Sequence, residues 1–153
     1  MNTVPPRSGE QRKADTLAML QTRGIDVWVA TAATAGVAHL VPLSLAWIDD
    51  RAVIAIPADS ATARNLTAGR QARLAVGPTR DVVMIDSVLD DVIPVEDAPA
   101  SLLDAYCAQA DWDPRRAGGG YVMVRLRPER IQAWREANEL AGRTLMRRGA
   151  WMV

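Results

Sequence analysis

The chain has one cysteine and one histidine in 153 residues, and Lys13 is its single lysine. Each scarcity removes a class of function. Cys107 has no partner for a disulfide within the chain, so the natural expectation is a reducing compartment. With His39 and Cys107 each alone, a His-rich zinc site and a structural zinc cluster are both excluded, and no metal is expected. A Ser-His-Asp triad could draw only on His39, and no nucleophile elbow surrounds it. Charge of one sign is also missing: 18 basic and 18 acidic residues cancel. Nothing global therefore steers the chain to nucleic acid or to an anionic membrane. No apolar run is long enough to span a bilayer, because the longest candidate, residues 37–48, contains His39, Pro42 and Ser44. The first 13 residues carry no apolar segment of the secretory kind, and cytoplasmic location is the expectation. There is no GxxxxGK[ST] loop. Gly118-Gly119-Gly120 lacks the spacing and following helix of a dinucleotide fingerprint and reads as a flexible loop. No side chain is nominated as catalytic. If the chain is an enzyme, a bound cofactor carries the reaction.

What is present is an ordinary globular composition, 49% hydrophobic, and a length suited to one domain over residues 1–153. Its basic residues are almost all arginine. Arginine suits planar, bidentate phosphate contacts, although genomic composition explains the bias as simply.

Residues 36–70 organise the rest. They read as a strand over 37–48, a turn at Asp49-Asp50-Arg51, a strand over 52–58, and a short helix to about Ala68. Asp59 or Ser60 can cap that helix by accepting an orphan N–H of its first turn. A helix that starts straight off a strand presents free N–H groups and a partial positive charge, which suits an anion. Thr62, Arg64 and Asn65 add a hydroxyl, a guanidinium and an amide near that end. The corner is thus a candidate phosphate site. The competing reading is a solvated first helical turn. Pro42 and Pro57 lack an N–H and must lie at an edge or bulge.

The remaining chain follows. Residues 1–8, with Pro5-Pro6, read as a loose arm. Residues 9–22 fit a helix with Gly24 as C-cap. A strand over 26–33 turns at Thr34-Ala35-Gly36 into the organising stretch. Strands follow at 71–77 and at 81–95, the second bulged near Asp90-Asp91. Asp97 can cap a helix to about Ala110 whose inward face includes Leu102, Leu103, Tyr106 and Cys107. Residues 121–134 form a strand pair or one bent strand, broken near Pro128. Residues 136–148 read as a helix or irregular tail ending in Trp151. About six strands joined by short turns, without a helix after each, indicate an antiparallel barrel with peripheral helices, mainly β in an α+β chain. Trp28 and Trp47 read as core or interface anchors.

Four stretches, VWVATAATAGVAHLVPLSLAW, DDRAVIAIPADSATARNL, GRQARLAVGPTRDVVMIDSVLDD and YVMVRLRPERIQAW, occur in this order. Together the chain resembles the pyridoxamine 5'-phosphate oxidase-like split-barrel flavoproteins, a group that includes deazaflavin-dependent reductases. The resemblance implies a six-stranded antiparallel split β-barrel that pairs as a homodimer, with cofactor sites in grooves between subunits. The cofactor it implies is FMN, or alternatively the deazaflavin coenzyme F420, serving hydride transfer with a small organic substrate. By position, His39, Val41 and Pro42 would lie beside the ring. Ile56 and Pro57 would contact the ring or its chain, and Thr62, Arg64 and Asn65 the phosphate. Trp134 and the region of Arg143 would close the site, from the same or the other subunit.

The departures are specific. Deazaflavin-binding relatives often carry a lysine where this chain has Thr62. The true pyridoxamine phosphate oxidases are richer in basic residues where this chain reads His39-Leu40-Val41-Pro42-Leu43-Ser44, and their C-terminal arginine motif differs from RTLMRRGAWMV. Oxidation of vitamin B6 is therefore not the expectation. A third alternative is a non-enzymatic split-barrel module that binds a ligand such as haem or only dimerises.

Overall fold

The computed structural model describes residues 4–153; the first three residues of the expected arm lie outside them. Alternation fixes the first hairpin. In β1 (Asp26–Ala32) Val27, Val29 and Thr31 point inward, and Trp28 and Ala32 point outward. A turn closed by Gly36 N–H to Ala33 O leads into β2 (Ala38–Ser44). Its register sets Thr31 opposite His39, Ala30 opposite Leu40 and Trp28 opposite Pro42. The strand then breaks at Leu45, whose N–H turns to the carbonyl of Ile25, and resumes as β3 (Ala46–Ile48). Asp49 and Asp50 both take positive φ, the twist a two-residue hairpin needs, and return the chain as β4 (Arg51–Pro57).

The helix α2 (Ala61–Gly69) follows β4 directly. Then come β5 (Gln71–Val76), β6 (Val82–Pro94), α3 (Ala100–Ala110), β7 (Tyr121–Trp134), β8 (Thr144–Arg147) and β9 (Ala150–Trp151), while α1 (Gly9–Leu20) precedes β1. Every pairing is antiparallel. The order is β2-β1-β5-β6-β7-β4-β3, with β8 on β7 and β9 on β8. Its two ends, β2 and β3, are consecutive pieces of chain. The sheet therefore rolls round to its own start without closing, which is a split barrel. Pro42 lies on β2, an end strand bonded only to β1, where a missing N–H costs nothing in the ladder.

Inside the roll sit Val29, Leu45, Ile54, Ile56, Leu74, Ile85, Leu126 and Ile131, each 2% exposed or less. A second cluster lies outside it, where α3 covers Ala46, Val53 and Met123 with Leu102, Leu103 and Tyr106. Burial pushes the Tyr106 phenol up to about 12. Its hydroxyl donates to the carbonyl of Ser44 at 3.3 Å.

The strand count rises from six to nine for local reasons. The 37–48 strand divides at Leu45, and residues 144–147 and 150–151 add a short hairpin. That hairpin replaces the helix or irregular tail expected over 136–148: only Ala137–Glu139 coil, as one 3-10 turn. Gly142, Arg148 and Gly149 all have positive φ, which no continuous helix tolerates. Two further boundaries differ, and a third segment takes one of its two expected forms. Asp97 ends a 3-10 turn and caps nothing, because Pro99 holds the N-cap position of α3. The C-cap of α1 is Gln21, not Gly24. The 121–134 segment is one strand, and the irregularity near Pro128 is a bulge at Glu129 that leaves Asp86 opposite Arg130 and Ser87 opposite Pro128.

Gly77 is required by its turn. Its φ is +88, and a Cβ there would lie 2.5 Å from the carbonyl oxygen of Asp81 and 2.8 Å from the sulfur of Met19. The Gly77→Ala variant should therefore lose more than about 1 kcal/mol of stability, read as a lowered thermal midpoint. An unchanged midpoint would mean that the 77–81 turn relaxes at no cost.

Candidate functional site

The corner after β4 is built by a cap. Ser60 is the N-cap of α2, and its hydroxyl accepts the N–H of Ala63 at 3.2 Å. Ser60 N–H donates to the carbonyl of Pro57, and Arg64 N–H to that of Ser60. The orphan donors of the first turn that remain are the N–H groups of Ala61 and Thr62. Thr62 itself is 2% exposed, so its hydroxyl is not presented to solvent. Arg64 is exposed, and its guanidinium folds back to donate to the carbonyl of Asp59. Asn65 reaches across to β1, where its amide donates to the Thr31 hydroxyl at 3.1 Å.

Thr31 is the link between the helix and the first hairpin. It stands opposite His39, so the chain's one histidine, half-buried, shares a sheet face with Thr31 under Asn65. Val41 lies further along the same face of β2, half-buried against the core, and Pro42 points to the outside with Leu40. Ile56 is 2% exposed within the barrel core and can offer only backbone to a ligand. Pro57 closes β4 opposite Tyr121, and the next residue, Ala58, donates its N–H to the carbonyl of Gly120. A cleft of about 630 Å³ opens beside Thr31, bounded by Ala32, Gly69, Arg73 and Asp86.

Trp134 and Arg143 form a second group. The guanidinium carbon of Arg143 stacks 5.5 Å from the centre of the Trp134 ring. Arg143 is anchored through its carbonyl, which accepts the N–H of Ala133 at 3.0 Å. Within one chain this group and the His39–Asn65 group are apart. Register carries Ala30 through Arg73 and Asp86 to Arg130. It carries Val27 through Val76 and Val83 to Ala133, so Trp134 is level with the start of β1. Thr31 lies five residues further on, about 16 Å along the strand.

The segment after Trp134 holds a feature that no local pattern reveals. Glu139 is buried, and Arg7 donates to it from its backbone N–H and from both Nε and Nη2 at 2.8–3.0 Å. The N–H of Arg135 donates to the same carboxylate at 2.9 Å. Arg7 hydrogen bonding, opposed by burial and aided by those backbone donors, lowers the Glu139 carboxyl from 4.5 to about 2. Buried Arg12 adds bonds to the carbonyls of Glu139 and Ala141. Asn138 bonds the carbonyl of Val4. The expected loose arm is therefore fastened to the C-terminal segment from Val4 onward. The partners are 132 residues apart in sequence, so only the fold makes them neighbours.

This arrangement of strands and helices is that of the split-barrel proteins that include pyridoxamine 5'-phosphate oxidase relatives. No protein-family model matches the sequence, and no curated protein does. Solved structures do match in fold. An F420 reductase superposes with a TM-score of 0.62 at 16% identity, over 74% of this chain and 93% of that one. A pyridoxamine 5'-phosphate oxidase-related, FMN-binding protein from Nostoc punctiforme gives 0.52 at 14%, over 82% and 78%. A haem-binding protein from Mycobacterium smegmatis gives 0.60 at 17%, over 93% of this chain but 58% of its own length. At such identities the likeness carries the fold. No helix is long and apolar enough to cross a membrane among the described residues.

Proposed function

We infer that the chain binds a phosphate-bearing flavin, FMN or alternatively the deazaflavin coenzyme F420, and acts as an oxidoreductase on a small organic substrate. The observation that carries this reading is the corner of α2: two N–H groups at a helix start without a partner among the described residues, with an exposed guanidinium one turn away. That donor set fits a phosphate. Ala61, half-buried, would hold it through its backbone N–H, with the buried N–H of Thr62 behind it, and Arg64 would swing from the Asp59 carbonyl to pair with it. Asn65 would keep α2 fastened to β1, which fixes the direction of those donors. His39 and Val41 of β2, with the backbone of Ile56 and Pro57, would support the ring, and Pro42, on the other face of β2, would lie outside it. When bound, a reduced flavin supplies hydride to an electron-poor bond. The chain's own part is to hold, orient and shield the ring, since no side-chain acid or base stands out at the corner.

Pairing with a second copy is part of the same reading. Trp134 with Arg143 and His39 with Asn65 lie toward opposite ends of β1. A two-fold axis crossing the outer face of β1 near its middle would turn one end of each chain onto the other end of its partner. One composite site on each side would then combine both groups. Trp28 and Leu40, 50% and 59% exposed on that outer face, supply the apolar surface for it.

The test is an absorbance spectrum of freshly purified protein, then titration with FMN and with F420. Binding of one of them at micromolar concentration is expected. The Arg64→Ala, Asn65→Ala double variant should bind it about 1–3 kcal/mol more weakly. A wild-type protein that takes up neither, or a double variant of unchanged affinity, overturns the reading. The haem alternative has support in one neighbour of this fold, and a Soret band in the same spectrum would favour it.

A further inference from the structure

We propose that Arg7 and Glu139 are positioning residues for the Trp134–Arg143 wall, so that the N-terminal arm sets the affinity of the cofactor site. The proposal rests on the site assignment above, which it deepens. The loop from Trp134 to Arg143 leaves β7 and returns at β8, and its two ends are joined by the Ala133–Arg143 bond and the Arg143–Trp134 stack. Between those ends the loop has little apolar anchorage: Arg135, Glu136, Ala137, Asn138 and Leu140 are exposed, and only Glu139 is buried. What holds the loop is therefore polar: the buried contacts come from the other terminus, and surface pairs with Arg80 and Asp81 add to them. The Glu139 carboxylate takes three bonds from Arg7 and one from the N–H of Arg135, the residue next to Trp134. A single carboxylate thus ties the arm to the backbone that aims the indole. Arg12 fastens the far side of the loop through the carbonyls of Glu139 and Ala141, two residues short of Arg143. Arg135 is in turn held by Asp81 at 3.3 Å. Removing the Arg7 guanidinium leaves the carboxylate with two backbone donors, the N–H of residue 7 and that of Arg135, and loosens the loop between Trp134 and the carbonyls that Arg12 holds.

The experiment uses full-length protein labelled with 5-fluorotryptophan and read by fluorine NMR. The Trp134 signal is assigned with Trp134→Phe. Arg7→Ala should shift or broaden the Trp134 signal while those of Trp47 and Trp112 stay in place. The same variant should bind the cofactor about tenfold more weakly. Leu103→Ala, in the core under α3, serves as a control of comparable destabilisation and should leave both readings as in wild type below its unfolding range. If Arg7→Ala does not fold, Arg7→Lys keeps the charge but loses the fork, and the same Trp134 change is expected. An unmoved Trp134 signal in either variant overturns the proposal, as does an affinity loss no larger than that of Leu103→Ala. If wild type binds neither FMN nor F420, the proposed function fails, and the fluorine spectra still decide whether the arm positions the wall.

Discussion

Glu139→Ala should cost the native state about 3–5 kcal/mol, the range for removing one partner of a buried ion pair. Three donors of Arg7 and the N–H of Arg135 lose their acceptor at once. The Glu139 side chain is 4% exposed and that of Arg7 11%, so water cannot replace it without opening the loop. Urea denaturation of wild type and variant measures the difference. Glu136→Ala is the matching control, because Glu136 pairs with Arg80 at the surface, where such pairs contribute about 0–1 kcal/mol. Equal midpoints for the two variants would show that the Arg7–Glu139 pair adds nothing beyond a surface contact. The same carboxylate gives the protein a direction of pH sensitivity. Its folded-state value is depressed from 4.5 to about 2, chiefly by the Arg7 hydrogen bonds. The stabilisation is therefore present above pH 4.5 and is lost as pH falls toward 2. A drop of that size corresponds to about 3 kcal/mol. Asp15, lowered mainly by its bond to Arg7, acts in the same direction. Glu139→Gln should flatten this part of the stability profile, which denaturation at pH 6, 4 and 3 would reveal.

That contact also marks where reading the sequence stops. The barrel was legible because its signals are local. Alternation in β1 and β5, Asp49-Asp50 at a hairpin, and Ser60 as a cap act within a few residues, and each stands close to its expected place. The bulge near Asp90-Asp91 was legible too, since regular alternation would turn one of two adjacent aspartates into the core, and the register slips between Leu89 and Asp91. The tail was not legible. Residues 136–148 contain good helix formers, and what prevents a helix is the positive φ at Gly142 and Arg148 together with the open edge of β7. No short window of sequence shows that edge. The site divides in the same way. The α2 corner follows from a strand running into a capped helix, and the hydrogen bond of Asn65 to Thr31 needs the barrel to bring residues 34 apart together. The inward turn of Thr62 and Ile56 depends on which face packs on the core, which spacing alone leaves open.

Trp28→Ser combined with Leu40→Asp should convert the proposed pair of chains into monomers. On the outer face of the first hairpin Trp28 stands opposite Pro42 and Leu40 opposite Ala30, so four apolar positions adjoin with no charge among them. A tryptophan half exposed in such a patch is costly to leave in water and is the side chain most often found to anchor an interface. Loss of one such anchor costs about 2 kcal/mol or more, which raises a dissociation constant about thirtyfold. An aspartate added beside its own two-fold mate introduces repulsion as well, and a charge on an end strand discourages edge pairing. The fold itself should survive, since both side chains point away from the barrel core. Sedimentation at tens of micromolar should give a dimer for wild type and a monomer for the variant, with circular dichroism unchanged. If the proposed composite site forms, cofactor affinity should fall together with the dimer, because Trp134 and Arg143 of one chain would then be withdrawn from His39 and Asn65 of the other. A monomeric wild type would remove the composite site. A monomeric variant that binds cofactor as tightly as wild type would show instead that the α2 corner suffices alone.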